Sequence, residues 1–370
     1  MAPSTSQVPN ESADQVTTTD SFVKVLAESS NLKSVPTQFT FSNDFKGSYS
    51  DSIPIIDFSQ LTSENPHQRS KALQELAKAC EEWGFFVLIN HGIPETLLKA
   101  IIDASLEFFE LPDDDKRRYE AKSLSDPIIC GRGSVITTEN HRIRLWKDFV
   151  KCYVHPEFHC PEKPLILRND VSAINYRDIV FEFSEKTRSV ARKLLQGISE
   201  NLELEQGYMD EALKLDSCFQ LYAANFYPPC PQPDQAIGIP PHTDFGLLTF
   251  LIHNGVPGLQ IQHDGEWFNT NSPQNSILVN TADHLEIFSN GRYKSVKHRA
   301  VVNSEAMRIS IVMANGAAPD AVVGPAAQLV ERDGRALYRP MKFIEYIVSM
   351  QSNRLHGKGN LECLKIQDDE

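Results

Sequence analysis

The chain has 370 residues, and its 41% hydrophobic content is sufficient for a sizeable core. A formal net charge of −13 at pH 7 argues against binding to nucleic-acid phosphates or to an anionic membrane surface. The seven cysteines form no CxxC pair, and no apolar run approaches the ~20 residues of a membrane span. We therefore expect a monomeric, cytoplasmic protein with free thiols.

Pattern and composition divide the chain into five regions. Residues 1–50 form an N-terminal arm, and its polar first ~20 residues are expected to be disordered. Residues 51–165 are rich in helical periodicity, and residues 166–215 contain one long supporting helix. Residues 216–320 carry short strands separated by turns and form the predicted core. Residues 321–370 form a C-terminal helical segment.

The N-terminal half begins with a predicted edge strand at residues 53–58 (IPIIDF), because Pro54 cannot donate a ladder hydrogen bond. Helical spacing of apolar residues then continues to Gly84, a residue type that suits a helix C-terminus. Residues 85–89 follow as a buried strand, and a second amphipathic helix ends at Pro112. These elements predict a layer of helices beside a sheet.

Further along the chain, alternating patterns predict strands at residues 146–154 and 217–227. A periodic apolar stripe between them predicts a long helix at residues 170–206.

The region 240–315 is a series of short predicted strands, one of which is LEIFSNGRYKSV at residues 285–296. Asp264-Gly265 and Asn290-Gly291 are hairpin turn signals within this region. Strands at this spacing are typical of a sandwich or barrel.

His242 and Asp244 stand two residues apart at the mouth of an apolar run (GIPPHTDFGLLTFLI). In an extended strand, residues i and i+2 point to the same face, so both side chains would aim at one point. His298 begins another alternating run and can supply a third ligand across a barrel. Two histidines and one carboxylate form the set that holds non-haem Fe(II) and leaves coordination positions open.

Arg308 and Ser310 are again at i and i+2 on a predicted strand (RISIV). A buried arginine needs a partner, which is either a protein carboxylate or the carboxylate of a bound molecule. In the second case a dicarboxylate would chelate the metal at one end and bind Arg308 at the other.

Together with the preceding NFYPPCPQP segment, these motifs resemble the plant 2-oxoglutarate- and Fe(II)-dependent dioxygenases. The IPIIDF and EEWGFFVLINHGIP segments resemble the N-terminal region of that family, so the resemblance extends over about residues 50–350 in unbroken order. It implies an α+β, mainly β fold of the isopenicillin N synthase-like type. The core of that fold is a double-stranded β-helix (jelly roll) flanked by helices.

The resemblance also implies ligands and roles. His242, Asp244 and His298 would hold Fe(II), with ascorbate as an optional reductant. The expected enzyme converts 2-oxoglutarate and O2 to succinate and CO2 while it hydroxylates a small plant metabolite. A related iron oxidase that does not use 2-oxoglutarate, and a dioxygenase that desaturates or O-demethylates, are the alternatives within the fold. A non-catalytic barrel and a zinc hydrolase are the alternatives from other classes.

For the cosubstrate, the resemblance implies that Arg308 and Ser310 bind the distal carboxylate of 2-oxoglutarate. Tyr227 would add a hydrogen bond, and Asn225 would lie near the keto-acid end.

The main substrate would contact residues on three strands. The family positions correspond here to Phe149, Lys151, Ala223, Met313 and Asn315. Phe149 could stack on a planar ring, and Met313 offers an adaptable apolar wall.

Overall fold

The structure is a computed structural model that describes residues 21–30, 32–41, 45–49, 53–123, 126–133, 135–137, 142–167, 173–352 and 359–367. The predicted disorder of the first ~20 residues lies outside these ranges. The α-helices of the described ranges are α1 Val23–Ala27, α2 Phe58–Leu61, α3 Pro66–Lys78, α4 Glu95–Glu110, α5 Asp113–Arg117, α6 Tyr176–Asn201, α7 Tyr208–Ala212, α8 Asp283–Phe288, α9 Ala327–Asp333, α10 Phe343–Ser352 and α11 Gly359–Leu364.

The strands of the same ranges are β1 Ser48–Tyr49, β2 Ile55–Asp57, β3 Phe85–Ile89, β4 Ile128–Arg132, β5 Val135–Thr137, β6 Arg142–Arg144, β7 Asp148–His155, β8 Leu165–Leu167, β9 Ala173–Asn175, β10 Gln220–Tyr227, β11 Ile237–His242, β12 Leu248–His253, β13 Leu259–His263, β14 Glu266–Asn269, β15 Ile277–Thr281, β16 His298–Val301, β17 Arg308–Asn315, β18 Val322–Val323 and β19 Met341–Lys342.

Two sheets form the core. The large sheet has eight strands in the order β2-β3-β15-β12-β17-β10-β7-β4, and the smaller sheet has five in the order β1-β14-β13-β16-β11. From β10 to β17 the chain alternates between the two sheets, except that β13 and β14 form a hairpin within the smaller sheet, and this is the connectivity of a jelly roll. The predicted jelly-roll core flanked by helices is confirmed.

The helices cover the outer face of the large sheet. The Tyr222 hydroxyl, on β10, lies 2.7 Å from the Ser105 hydroxyl of α4 and accepts a 3.0 Å hydrogen bond from Tyr176 at the start of α6. The long helix predicted at residues 170–206 corresponds to α6, and the side chain of Asn175 caps its N-terminus. Because the helices bury one face of β10, its other face is left to line the interior between the sheets.

The register of the large sheet sets which residues face that interior together. In β10, Tyr227 pairs with Arg308 and Asn225 pairs with Ser310, both on β17. On its other side, Asn225 pairs with Phe149 of β7. The side chains of each row therefore lie next to one another on one face.

The segment at residues 285–296 was predicted as a strand, and that prediction is wrong. Its first four residues belong to helix α8, and the preceding residue in that helix, His284, is buried. A short apolar run such as LEIF fits a buried helical turn as well as a strand. Asn290 and Gly291, both at positive φ, follow the helix and do not form a hairpin, whereas Asp264 and Gly265 do join β13 to β14.

Part of the N-terminal arm packs against the large sheet. The carboxylate of Asp148 accepts 2.8 Å hydrogen bonds from the backbone N–H groups of Val23 and Lys24, at the first turn of α1. The rings of Phe39 and the buried Trp146 pack edge to face, with their centroids 5.2 Å apart. Among the described residues, no helix is both long and apolar enough to cross a membrane.

Candidate active site

A cavity of about 380 Å³ lies between the two sheets. Residues of the smaller sheet contribute one wall, and odd-numbered residues of β7 and β10 with even-numbered residues of β17 contribute the opposite wall. Ile347 and Met350 of α10 also line it. The cavity is thus formed by strands that are distant in the sequence.

His242, Asp244 and His298 converge on one wall of this cavity. His242 ends β11, His298 begins β16, and the two residues pair directly in the ladder. Asp244 Oδ1 lies 3.6 Å from His242 Nε2 and 3.5 Å from His298 Nε2. One ligand atom from each of the three residues lies within 4.8 Å of the others, so a single metal ion could contact all three.

Backbone carbonyls orient both imidazole rings. His242 Nδ1 lies 2.9 Å from the Pro240 carbonyl oxygen, and His298 Nδ1 lies 3.2 Å from that of Val296. A carbonyl oxygen can only accept, so Nδ1 carries the proton in each ring. The unprotonated Nε2 atoms then point toward Asp244, as metal-ligating histidines require.

The electrostatics of the triad favour a bound cation. Burial, and then repulsion from His298, lower the pKa of His242 to about 4. Burial alone would raise the pKa of Asp244, but the charge of His298 and its hydrogen bonding hold it well below its usual range. Burial alone would lower the pKa of His298, but attraction to Asp244 raises it. The carboxylate is therefore ionised, and a divalent metal bound by both Nε2 atoms would supply the positive charge that it faces.

Residues around Asp244 fix its position. Asn280 Nδ2 donates to Asp244 Oδ2 at 3.1 Å, and the backbone N–H of Asp283 donates to the Asp244 carbonyl oxygen at 2.9 Å. The Asp283 carboxylate accepts hydrogen bonds from Thr243 and from the Tyr346 hydroxyl of α10. Helix α10 is thereby connected to the loop that carries the carboxylate of the triad.

Arg308 and Ser310 face the triad from the large sheet. Arg308 is only 2% exposed, its Nε has no hydrogen-bond partner, and burial lowers its pKa. Tyr227 interacts with its charge, and no carboxylate of the described chain pairs with it. Burial raises the pKa of Tyr227, an effect that the Arg308 charge and hydrogen bonding to Ser310 oppose. An anion in the cavity would therefore meet a preformed cationic site.

Three of the predicted substrate residues lie on the cavity side of their strands. Phe149 and Lys151 line the cavity, whereas Ala223 shares their side without reaching the lining. Met313 and Asn315 do not line it, and this prediction is wrong for both. Side chains alternate between the two faces of β17, so Val312 and Ala314 share the cavity face with Arg308. Met313 and Asn315 lie on the other face, in the core.

Sequence reasoning overlooked Lys147, which also lines the cavity. The alternation that groups Phe149 with Lys151 extends back to Lys147, so the signal was present in the pattern.

Known proteins match the chain over most of its length. A family model described as the 2OG-Fe(II) oxygenase superfamily matches residues 218–315, and one described as the N-terminal region of non-haem dioxygenases in morphine synthesis matches residues 53–173. The chain is 42% identical over 319 residues to 2-oxoglutarate-dependent dioxygenase 19 of Oryza sativa subsp. japonica, which is 86% of this chain and 91% of that protein. The chain belongs to the 2OG-Fe(II) oxygenase superfamily.

A further relative and a solved structure support this family assignment. This oxygenase is 34% identical to leucoanthocyanidin dioxygenase of Malus domestica over 80% of this chain and 82% of that protein. The crystal structure of JOX2 in complex with 2OG, Fe and JA matches with a TM-score of 0.82 and 28% identity, over 94% of this chain and 98% of that one. The protein is accordingly an oxidoreductase that uses Fe(II), 2-oxoglutarate and O2 to oxidise a small metabolite.

Proposed function

We propose that His242, Asp244 and His298 hold the Fe(II) ion and that Arg308 and Ser310 bind the distal carboxylate of 2-oxoglutarate. The observation that carries the proposal is a buried guanidinium without a protein carboxylate, facing two oriented Nε2 atoms and an ionised carboxylate across one cavity. A dicarboxylate that reaches from the metal to the arginine satisfies both ends.

Tyr227 and Asn225 complete the cosubstrate site in this proposal. Tyr227 pairs with Arg308 in the ladder, which supports a hydrogen bond from its hydroxyl to the same carboxylate. Asn225 pairs with Ser310, two residues further toward the middle of β10, which supports its assignment to the keto-acid end.

The reaction proposed is hydroxylation of a small plant metabolite, coupled to conversion of 2-oxoglutarate to succinate and CO2. Bound Fe(II) supplies the activation of O2, chemistry that no side chain of this protein can perform. The chain contributes fixed imidazole and carboxylate ligands, a preformed cationic site and a cavity with mostly apolar walls. Apolar residues such as Phe149 and Leu251 exclude water and hold one C–H bond of the substrate toward the metal.

The experiment that tests this function is a metabolite panel screened for substrate-dependent succinate formation, with Fe(II), 2-oxoglutarate and ascorbate supplied. We expect succinate to rise with at least one metabolite and to disappear when a chelator removes Fe(II). Gain of one oxygen atom by the product indicates hydroxylation, loss of two hydrogens desaturation, and loss of a methyl group demethylation. Substrate consumption without succinate would refute the use of 2-oxoglutarate, and activity restored by zinc alone would indicate a hydrolase.

We further propose that the enzyme acts as a cytoplasmic monomer without a nucleic-acid or membrane partner. The net charge of −13 supports the absence of anionic partners, and the seven unpaired cysteines are typical of a reducing compartment. Light scattering of the purified protein and imaging of a fluorescent fusion would test the two parts separately.

A further inference from the structure

A second cation is buried in the cavity with no assigned role. Lys147 immediately precedes β7 and is only 4% exposed. Its Nζ donates a 2.9 Å hydrogen bond to Asn225 Oδ1, and no carboxylate of the described residues pairs with it. An amide oxygen is a weak substitute for a counterion, since a buried ammonium group requires a compensating charge.

The other two buried lysines of the described chain both form ion pairs with protein carboxylates. Lys24 pairs with Glu28 and Glu110 at 2.8 and 2.9 Å, and Lys116 pairs with Asp113 at 3.3 Å. Lys147 differs from both because its charge is directed into the cavity instead of toward a protein carboxylate.

Lys151, on β7, is a second lysine on the same wall of the cavity. The Nζ atoms of Lys147 and Lys151 each lie 5.3 Å from the centre of the Phe149 ring. This wall therefore presents an aromatic ring with a cation on either side. Burial and then the charge of Lys151 lower the pKa of Lys147 well below its usual range, a penalty that a bound anion would relieve.

The charge on Lys147 gives the sign and number of charges of the missing ligand. In the proposed site, Fe(II), Asp244, Arg308 and the dianion of 2-oxoglutarate carry charges that cancel. Asp126, another lining residue, accepts hydrogen bonds from the backbone N–H groups of Lys122 and Ser123 instead. The positive charge of Lys147 therefore remains for the main substrate.

We infer that the main substrate is a monocarboxylate with an apolar, ring-bearing skeleton, that Lys147 with Lys151 binds its carboxylate, and that Phe149 contacts its ring. This inference rests on the proposed function, which already assigns both carboxylates of 2-oxoglutarate to the metal and to Arg308. Lys147 is thus a residue that determines substrate specificity.

Binding measured under nitrogen tests the inference without turnover. The probes are aromatic and alicyclic monocarboxylic acids, each compared with its methyl ester and its primary amide, added to protein that holds Fe(II) and 2-oxoglutarate. Titration calorimetry should show at least one acid that binds about tenfold or more tighter than both neutral forms. Lys147→Met should abolish this preference, and Lys147→Arg, which retains the cation, should preserve it.

Lys71→Met, on the exposed face of α3, is the matched control and should leave the preference unchanged. Three results would overturn the inference: tightest binding of the neutral forms by the wild type, an intact acid preference in Lys147→Met, or a loss in that variant of 2-oxoglutarate affinity alone. The last result would assign the carboxylate at Lys147 to the cosubstrate. The comparison of acid with ester and amide in the wild type decides the question even if Lys147→Met does not fold.

The two proposals fail in different ways. A wild-type protein that prefers acids under nitrogen but never forms succinate in air would refute the proposed function and leave the carboxylate site standing. A protein that forms succinate with neutral metabolites only would refute the carboxylate site and leave the dioxygenase function standing.

Discussion

The Arg308 guanidinium lies 5.2 Å from the centre of the Tyr227 ring, and the two residues face each other across the β10–β17 ladder. The ring face stabilises the cation without neutralising it. Rigid strands hold both groups, so the site is preorganised for an anion before one arrives.

Replacement of Arg308 is expected to affect 2-oxoglutarate more than the main substrate. Arg308→Ala removes charge-assisted hydrogen bonds, so the KM for 2-oxoglutarate should rise by about 10- to 100-fold. Arg308→Lys keeps the charge but not the two-pronged geometry and should give a smaller increase. Steady-state kinetics at varied 2-oxoglutarate measures both, with the exposed Arg332→Ala as control. An unchanged KM in Arg308→Ala would mean that this arginine has a structural role only.

Gly258 is expected to be intolerant of a side chain because of Arg308. At a φ of +156°, a Cβ atom at this position would lie 2.8 Å from Arg308 Cδ and 2.9 Å from the Val301 carbonyl oxygen. Gly258→Ala should therefore displace the guanidinium and raise the KM for 2-oxoglutarate. Gly255→Ala is the matched control, because its φ is also positive but nothing lies within 4 Å of the new atom. Equal kinetic effects of the two variants would show that backbone strain, not crowding of Arg308, is responsible.

The metal triad is expected to be required for both metal binding and turnover. His242→Ala or Asp244→Ala removes one of three ligands, so Fe(II) affinity and 2-oxoglutarate decarboxylation should both fall below detection. Anaerobic calorimetry with Fe(II) and a succinate assay measure the two effects. His67→Ala, on the exposed face of α3, should behave as wild type. Full turnover by either triad variant would refute the iron assignment.

Tyr346 of helix α10 is expected to support the triad. Its hydroxyl donates a 2.7 Å hydrogen bond to Asp283, whose backbone N–H bonds the carbonyl oxygen of Asp244. Tyr346→Phe removes a hydrogen bond to the buried Asp283 carboxylate and should lower the free energy of unfolding by about 1–3 kcal/mol. Urea denaturation measures this loss, and the exposed Tyr49→Phe serves as the control. A measured weakening of Fe(II) binding would show that the contact also positions Asp244.

The sequence was sufficient to predict the residues that share one face of one strand. Arg308 and Ser310 are an i and i+2 pair within β17, so alternation alone groups them. His242 and Asp244 have the same spacing and also converge, although β11 ends at His242 and Asp244 lies in the loop that follows. The direct pairing of His242 with His298, and of Tyr227 with Arg308, depends on strand register. Register is set by long-range packing that no local pattern encodes.

Where the sequence misled, two local patterns competed. The LEIF run of α8 fits a strand and a buried helical turn equally well, and burial of Leu285 and Ile287 against the core decides for the helix. Met313 was predicted in the pocket because it corresponds to a substrate-lining position of the resembled family. Its odd number places its side chain on the face of β17 opposite to that of Arg308. Lys147 obeys the same alternation and was overlooked because a lysine near a strand end resembles a surface residue.

Asp148 is expected to make stability depend on pH. Burial, opposed by hydrogen bonds from the N–H groups of Lys24 and Val23, raises its pKa from the ordinary 3.8 to about 7. The folded state therefore holds a proton that the unfolded state releases above about pH 4. The stabilisation from this proton is complete below about pH 4 and is lost as the pH rises through about 7.

The side chain in Asp148→Asn cannot titrate, so we compare the free energies of unfolding of the wild type and of this variant. Their difference, wild type minus variant, should fall by about 1.4 kcal/mol per pH unit between pH 5 and pH 7 and level off above pH 7. Urea denaturation at pH 5, 6, 7 and 8 gives this difference at each pH. Asp57→Asn is the control, because hydrogen bonds to Ser59 and Asn90 outweigh burial and lower the pKa of Asp57. Its contribution is lost only below the ordinary value of 3.8, so its difference from wild type should stay flat over the same range. If the difference between wild type and Asp148→Asn also stays constant from pH 5 to pH 8, Asp148 is ionised in the folded protein. The hydrogen bonds from α1 would then outweigh the effect of burial on its pKa.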